Sequence, residues 1–568
     1  MGGPAVHRSR YPDPVVPDLG LPNYVLEHIA RWGDRPALVD GAVRADAAEA
    51  ADGSTLTYRE LATSVGAVAA RLAAAGVVRG DTVALSASNQ PAWAAAFYGI
   101  LAAGATAVPL SPLLIADEAR TLVAAAGAGV LVSDGRTGPL AEAAARWPVA
   151  TISLAALTAP PAPAPPAPPS AQPAPAPVNC GGGGGRPGPA LHGNATAVVA
   201  FSSGTTGLPK GVRLTHRNLV AALVQHEPIY HVGPEDVVLA ALPFCHIYGL
   251  SIVLGYALRH GATVVTMPRF DLARYLALVA EHRVTWLHLV PPLALALASP
   301  AAAGTDLTSV RHAVSGAAPL DPALAARTAT VLGCPVGQGY GMTEASPGIT
   351  WVPDDGSVAC APGSVGVLVP GTEARLVDPV SGEDTGGSGE LWVRGPQVMA
   401  GYLDDPAATA ATLAGGEWLR TGDVLRVDDR GAFWVVDRLK ELVKYKGWQV
   451  APAELEAVLR DHPAVADAAV AGVPDPDAGE LPVAWVVPAG PVEVAELLAW
   501  AAARVAPYKK IRRVHLVDRI PRSPSGKVLR RQLVAGEAGA GLGDREQAGV
   551  GRGEAAARAA RRRDKEHA

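Results

Sequence analysis

A chain of 568 residues is longer than one hydrophobic core usually supports, so two or more domains are expected. A hydrophobic content of 49% excludes a mostly disordered protein, and a net charge of -5 offers no general footprint for nucleic acid. Four cysteines (Cys180, Cys245, Cys334 and Cys360) stand far apart with no C-x-x-C, which fits a reduced compartment and argues against a zinc site or disulfide framework.

The N-terminal MGGPAVHRSRYPDP has no apolar run of a secretory signal, and Val6 stands where a myristoylation pattern wants Ser or Thr. Residues 91–116 carry no charge, but Gly99, Gly104, Pro109 and Pro112 interrupt them. They read as a buried helix followed by a strand, not a membrane span, and the default is a soluble cytoplasmic protein. Apolar runs at 81–88, 105–110, 129–134 and 262–267 alternate with alanine-rich helical stretches, a pattern of βαβ units and parallel sheets. From 159 the chain becomes APPAPAPPAPPSAQPAPAPV and then NCGGGGGRPGPA. Proline cannot donate to a ladder and polyglycine loses much entropy on ordering, so 159–190 reads as a solvated, disordered insert. A domain boundary is expected near Arg438, where FWVVD ends and charged residues cluster. The expected domains are therefore 1–438 and 439–537, with a disordered tail from 538 to 568 that ends in RRRDKEHA.

The strip SSGTTGLPKGV (202–212) follows the strand-like ATAVVAF. It fails as a Walker A loop, because counting from Gly204 the sixth position is Pro209 and Gly211 follows Lys210. What remains is a loop that presents hydroxyls and backbone N–H groups able to wrap a polyphosphate. Further blocks follow in order: PFCHIYGL (243–250), SGAAPL (315–320), GQGYGMTEASP (337–347) and GELWVRGPQVMAGY (389–402). Then come WLRTGDV (418–424), VVDRLKELVKYKGWQVAPAELE (435–456) and PRSPSGKVLRRQL (521–533). Together, over roughly residues 20–535, these resemble the adenylate-forming (acyl-CoA synthetase) superfamily, and within it the 4-coumarate–CoA ligases most.

The resemblance implies an α/β fold: a large N-terminal AMP-binding domain of parallel-rich sheets wrapped by helices, with a β-barrel-like subdomain, and a small mobile α+β C-terminal lid domain. It also implies ATP, Mg²⁺ and CoA, with a small-molecule carboxylic acid as the fourth partner. Ser202, Ser203, Gly204, Thr205, Thr206, Gly207 and Lys210 fall on the triphosphate strip. Thr205 and Glu344 match the metal site, where a hard cation takes a carboxylate, phosphates and waters. Thr343 matches an α-phosphate position, and Gln338, Gly339, Tyr340 and Gly341 the adenine and acyl side. Asp423 matches the acceptor of the ribose hydroxyls, with Arg438 its partner. Lys527 matches the lysine that bridges substrate carboxylate and α-phosphate. A cation is needed there: at ~4 Å two like unit charges repel by about 4 kcal/mol at an effective dielectric of ~20. His246 borders the carboxylate, and Tyr248, Ser251, Val314, Gly316, Pro347 and Gly348 fall along the acyl pocket. Lys440 matches a hinge between half-reactions, and Lys444 and Gln449 the face used in the second. Lys446, Gly447 and Trp448 match CoA-side positions.

The expected reaction is activation of a hydrophobic, aryl or cinnamate-like acid as its adenylate, followed by transfer to CoA. Val314 stands where the plant enzymes commonly carry lysine, and Gly348 where they carry a branched apolar residue. This implies a lost donor for a para-hydroxyl and a larger far end, with Cys245 adding room, so unsubstituted acids are expected to gain over 4-hydroxylated ones. Medium-chain fatty acids fit the same blocks. A luciferase-like oxidase shares nearly all of them, whereas the retention of Lys527, Glu344, Asp423 and Arg438 together argues against a catalytically inactive nucleotide-binding relative. An amino-acid adenylation domain does not fit, because PFCHIYGL has no acidic residue for an α-amino group.

Overall fold

The structure, a computed structural model, describes residues 6–42, 55–134, 147, 149–159, 193–202, 209–438, 441–445, 448–475, 478–505, 509–523 and 527–540. Residues 160–190 of the proline- and glycine-rich insert lie outside this set, as do Ser203, Gly204, Thr205, Thr206, Gly207, Lys440, Lys446 and Gly447. The chain divides into two compact units, one running through Val436 and the other starting at Asp437.

In the first unit two large sheets are parallel in their interiors. Among the described residues one has seven strands, with Thr82–Ser86 between Thr106–Leu110 and Val130–Ser133, all parallel. The other has nine, and Pro36–Asp40, Thr263–Thr266, Val237–Ala240, Trp286–Leu289, His312–Ser315 and Val336–Gly341 lie side by side in parallel register. Strands buried on both faces read as continuous apolar runs, which is why Thr82–Ser86, Thr106–Leu110, Val130–Ser133 and Thr263–Thr266 were legible as strands. A third, antiparallel sheet joins Glu373–Val377, Ser388–Arg394 and Trp418–Val427.

The uncharged stretch from 91 folds as expected, into helix Pro91–Ala102 followed by strand Thr106–Leu110. The helix is apolar all round because it is buried nearly all round. Trp93 stacks on Phe97 at 5.3 Å and meets Phe244 at 5.4 Å. Helix Tyr58–Ala74 packs on Gly99 so closely that a Cβ there would stand 2.3 Å from a methyl of Val68. The Tyr58–Ala74 helix starts from a reciprocal cap, with Thr57 Oγ1 accepting from Glu60 N and Glu60 Oε2 from Thr57 N. No described helix is long and apolar enough to cross a membrane.

The second unit is an α+β assembly. Val465–Asp475 and Gly479–Pro488 pair antiparallel, Arg513–Leu516 joins in parallel, and helices Pro452–Arg460 and Val494–Ala502 cover one core. The last described helix, Arg530–Ala540, runs slightly past the tail boundary set at 538.

Candidate active site

The hydroxyl strip lies in sequence between two paired strands. Thr196–Ser202 and Lys210–Thr215 pair antiparallel, and Ser202 opposite Lys210 is the last registered pair. Ser202 Oγ donates to Glu344 Oε1 at 3.2 Å, and Tyr402 O–H donates to the same oxygen at 3.0 Å. Tyr402 comes from strand Gly401–Tyr402, which pairs with the strip's second strand, so one sheet edge delivers both hydroxyls. Burial and the nearby Glu344 carboxylate push the Tyr402 hydroxyl well above its usual range, so it stays a donor. The Lys210 ammonium lies 4.9 Å over the Tyr402 ring. Glu344 itself is buried in the 3₁₀ turn Thr343–Ala345, and its carbonyl accepts from Met399 N at 2.9 Å. Among the described residues nothing donates to Glu344 Oε2. A carboxylate fixed through one oxygen, with the other unused, fits a hard cation that keeps waters and phosphates as its remaining ligands.

The second carboxylate also accepts from a tyrosine hydroxyl. Asp423, 2% exposed on strand Trp418–Val427, accepts from Tyr340 O–H at 2.7 Å. Thr421 Oγ1 accepts from Asp423 N and donates to Leu391 O, fixing the strand at that point. Gln338 Oε1 accepts from Leu320 N at 3.2 Å, tying the 337–341 strand to the SGAAPL block. The glycines of that strand have neighbours of their own. A Cβ on Gly341 would stand 1.8 Å from Pro347 O, and one on Gly339 2.7 Å from the Trp351 ring. Protein packing alone therefore requires glycine at both positions.

His246 follows a segment pinned by Asn89, whose amide donates to Ala240 O and Leu242 O and accepts from Phe244 N, all within 2.9 Å. A nine-residue π-helix, Tyr248–Tyr256, comes next and carries the buried Ser251. Wide turns of this kind are frequent at functional sites. Tyr248 donates to Val314 O at 3.3 Å, and a Cβ on Gly316 would touch its ring at 3.0 Å. Behind it stands a wall of aromatic and imidazole rings. Tyr248 meets His288 edge-on at 5.9 Å, and the Tyr230 hydroxyl and His288 Nε2 lie 2.8 Å apart. Tyr230 packs on Trp351 at 5.2 Å, and Trp351 on the edge of His226 at 5.1 Å. Burial lowers His226 to about 4 and His288 to about 3, so both rings are neutral at pH 7.

This wall corrects one expectation. Gly348 does not simply enlarge the far end of the acyl pocket. A Cβ there would stand 2.5 Å from His226 Cε1 and 2.9 Å from its Nε2, so an imidazole from helix His216–His226 takes the space. Tyr256 packs on Tyr230 at 4.6 Å, and a cavity of about 430 Å³ is lined by both, but His226 does not line it.

In the second unit, strands Val443–Tyr445 and Trp448–Val450 form a hairpin in which Lys444 is the register partner of Gln449. Arg438 ends strand Phe433–Arg438. Ser523 and Lys527 are tied to each other: Ser523 N donates to Lys527 O at 2.8 Å, and Lys527 N to Ser523 Oγ at 3.2 Å. Arg522 beside Ser523 donates to both oxygens of Asp467, and Arg530 donates to Glu441 and Glu456.

Sequence reasoning gave no role to Tyr402, Asn89, His226 or His288. Tyr402 lay inside a quoted block. The other three carry no local signal: the partners of Asn89 lie more than 150 residues away, His288 meets Tyr230 from a different element 58 residues away, and His226 sits on an apolar helix face.

The model of the AMP-binding enzyme family matches residues 25–403, and that of the AMP-binding enzyme C-terminal domain matches 454–527. The chain is 40% identical to 4-coumarate–CoA ligase 5 of Oryza sativa subsp. japonica, over 93% of this chain and 97% of the relative. It is 38% identical to a 4-coumarate–CoA ligase of Pinus taeda, over 93% and 97%. ATP-bound MatB from Rhodopseudomonas palustris superposes with a TM-score of 0.79 at 27% identity, covering 92% of this chain and 99% of that one. The o-succinylbenzoate CoA synthetase of Bacillus subtilis, with its acyl-adenylate intermediate, gives 0.76 at 29% identity, covering 93% and 99%.

Proposed function

The chain belongs to the AMP-binding, adenylate-forming enzyme family, and from that premise we propose that it is an ATP-dependent acid–thiol ligase acting on a hydrophobic, aryl or cinnamate-like carboxylic acid. The acid's carboxylate attacks the α-phosphate, forming the acyl–phosphate bond and breaking the α–β anhydride to release pyrophosphate. The thiol of CoA then displaces AMP. The observation that carries this reading is the pair of buried carboxylates, Glu344 and Asp423, each aimed by hydroxyls from the family's own blocks.

Each residue has a part. The strip hydroxyls and Lys210 meet the phosphates, Asp423 accepts from the ribose, and Lys527 follows the charge from carboxylate to α-phosphate. Glu344, with Thr205, would hold Mg²⁺, which when bound supplies positive charge against the phosphate oxygens. His246 donates near the carboxylate, with Asn89 positioning its segment. Lys444 and Gln449 serve the thiol-transfer step, with Lys440 the hinge between the two halves. The far-spaced cysteines motivate a reduced, cytoplasmic setting for the enzyme.

The test is release of AMP and pyrophosphate with cinnamates, benzoates and medium-chain fatty acids, with and without CoA. The expected result is ATP consumption only with an acid and acyl-CoA only with CoA. No AMP from any acid would end the ligase reading, and oxygen consumption in place of thioester would favour an oxidase. Lys527→Ala should cut adenylate formation by roughly 10²–10³-fold while a supplied acyl-adenylate is still converted to thioester.

A further inference from the structure

The ring of His226 has a fixed proton. Its Nδ1 lies 2.6 Å from the carbonyl of Ala222, one turn earlier in the same helix. A carbonyl only accepts, so Nδ1 carries the hydrogen and donates. The ring is fully buried and neutral, which leaves Nε2 with a lone pair and no proton. Among the described residues that nitrogen has no hydrogen-bond partner. A buried acceptor without a partner calls for an explanation, since most such groups are satisfied. Its direction supplies one. Nε2 and Cε1 form the edge that faces Gly348, at the position where any other residue would place its side chain.

The same wall carries the other acyl-pocket positions, Tyr248, Val314 and Gly316, through His288, Tyr230 and Trp351. The ring edge of His226 therefore replaces an apolar side chain at the far end of the pocket with a hydrogen-bond acceptor. We propose that His226 is a specificity-determining residue, whose Nε2 accepts a hydrogen bond from a donor at the distal end of the acid, such as a phenolic or alkyl hydroxyl. This rests on the ligase reading above and deepens it. It also reverses the preference expected from Val314: the pocket lacks a lysine donor but has an imidazole acceptor, so acids that donate gain over acids that only accept.

The experiment compares acids that share a skeleton and differ at the distal group, 4-coumarate against the larger 4-methoxycinnamate and the smaller cinnamate, and 8-hydroxyoctanoate against octanoate, by kcat/KM in the full-length protein. The wild type should favour 4-coumarate over 4-methoxycinnamate by at least about tenfold, the scale on which one polar contact discriminates. His226→Leu should collapse that ratio toward one, whereas His226→Gln, which keeps an acceptor, should retain part of it. An indifferent wild type, or a ratio unchanged in His226→Leu, would overturn the assignment. Should the leucine variant not fold, nitrogen NMR of histidine-labelled wild type decides. The unprotonated Nε2 resonance should move on adding 4-coumarate with ATP and stay put with cinnamate, and equal responses would refute the contact. If no acid in the panel yields AMP, the ligase reading itself fails. Turnover without hydroxyl discrimination removes only His226.

Discussion

The nucleotide end and the acyl wall of this site solve the problem of buried polarity in opposite ways. At the nucleotide end two carboxylates are kept almost out of water, and each is held by hydroxyls from distant parts of the chain: Ser202 and Tyr402 on Glu344, Tyr340 on Asp423. At the acyl wall the polar groups are imidazoles, held neutral by burial and packed edge-on among Tyr230, Trp351 and Tyr256. Under the proposed function, charge is retained where a cation and phosphates would be met, and suppressed where an apolar acid would be held. A buried charge costs several kcal/mol unless partnered, while a neutral ring with one satisfied nitrogen costs far less.

Breaking the nucleotide end should have the largest effect. Glu344→Gln keeps the shape and the acceptor for Tyr402 but removes the charge, and single-turnover adenylation should fall by about 10²–10³-fold, equivalent to ~2.7–4 kcal/mol. A fall shared equally by thioester formation from supplied acyl-adenylate would show instead that the fold was damaged.

At the wall the expected effects are smaller and fall on stability first. Gly348→Val drives a side chain into the His226 ring and should destabilise by about 1–3 kcal/mol in urea unfolding. His226→Ala added to the same chain should restore most of it, because the two positions compete for one volume. Additive losses would mean that they do not.

The neutral imidazole predicts a pH signature. His226 has its folded value near 4, below the ordinary 6.5, so above pH 7 neither state is protonated there and the ring's contribution is fully present. As pH falls through 6.5 the unfolded chain binds the proton first, and stability is lost progressively until about pH 4. Between pH 7.5 and 5.5 this one ring should account for about 1.4 kcal/mol of the loss. His226→Leu should flatten the stability–pH curve by that amount, and an unchanged slope would contradict a buried neutral ring. Smallest is Tyr340→Phe, which removes one donor from Asp423: the KM for ATP should rise about fivefold, ~1 kcal/mol, with kcat for thiol transfer little changed.

Much of the nucleotide end was legible because its residues sit in short, locally constrained stretches. The strip between two strands and the Y-G-M-T-E turn each need particular residue types within a few positions, and the structure joins Ser202 to Glu344 and Tyr340 to Asp423. Strand runs such as Thr82–Ser86 and Thr106–Leu110 were legible for the related reason that burial on both faces leaves a continuous apolar signature. Sequence alone also determined that 91–102 is a buried helix, since an apolar surface all round has no other soluble solution.

Only the tertiary structure decided what stands opposite each of these residues. Nothing near Glu344 in sequence indicates that Tyr402 would complete its support, or that Asn89 would hold the segment before His246 from more than 150 residues away. The reading of Gly348 as open space failed for the same reason. A missing side chain states how much volume one position gives up, but which neighbour takes that volume depends on the packing of another element, here helix His216–His226 against strand Gly348–Trp351. Local patterns specify elements and turns through backbone geometry and burial. The occupant of a cavity, and hence the acid that fits it, is settled where elements far apart in sequence meet.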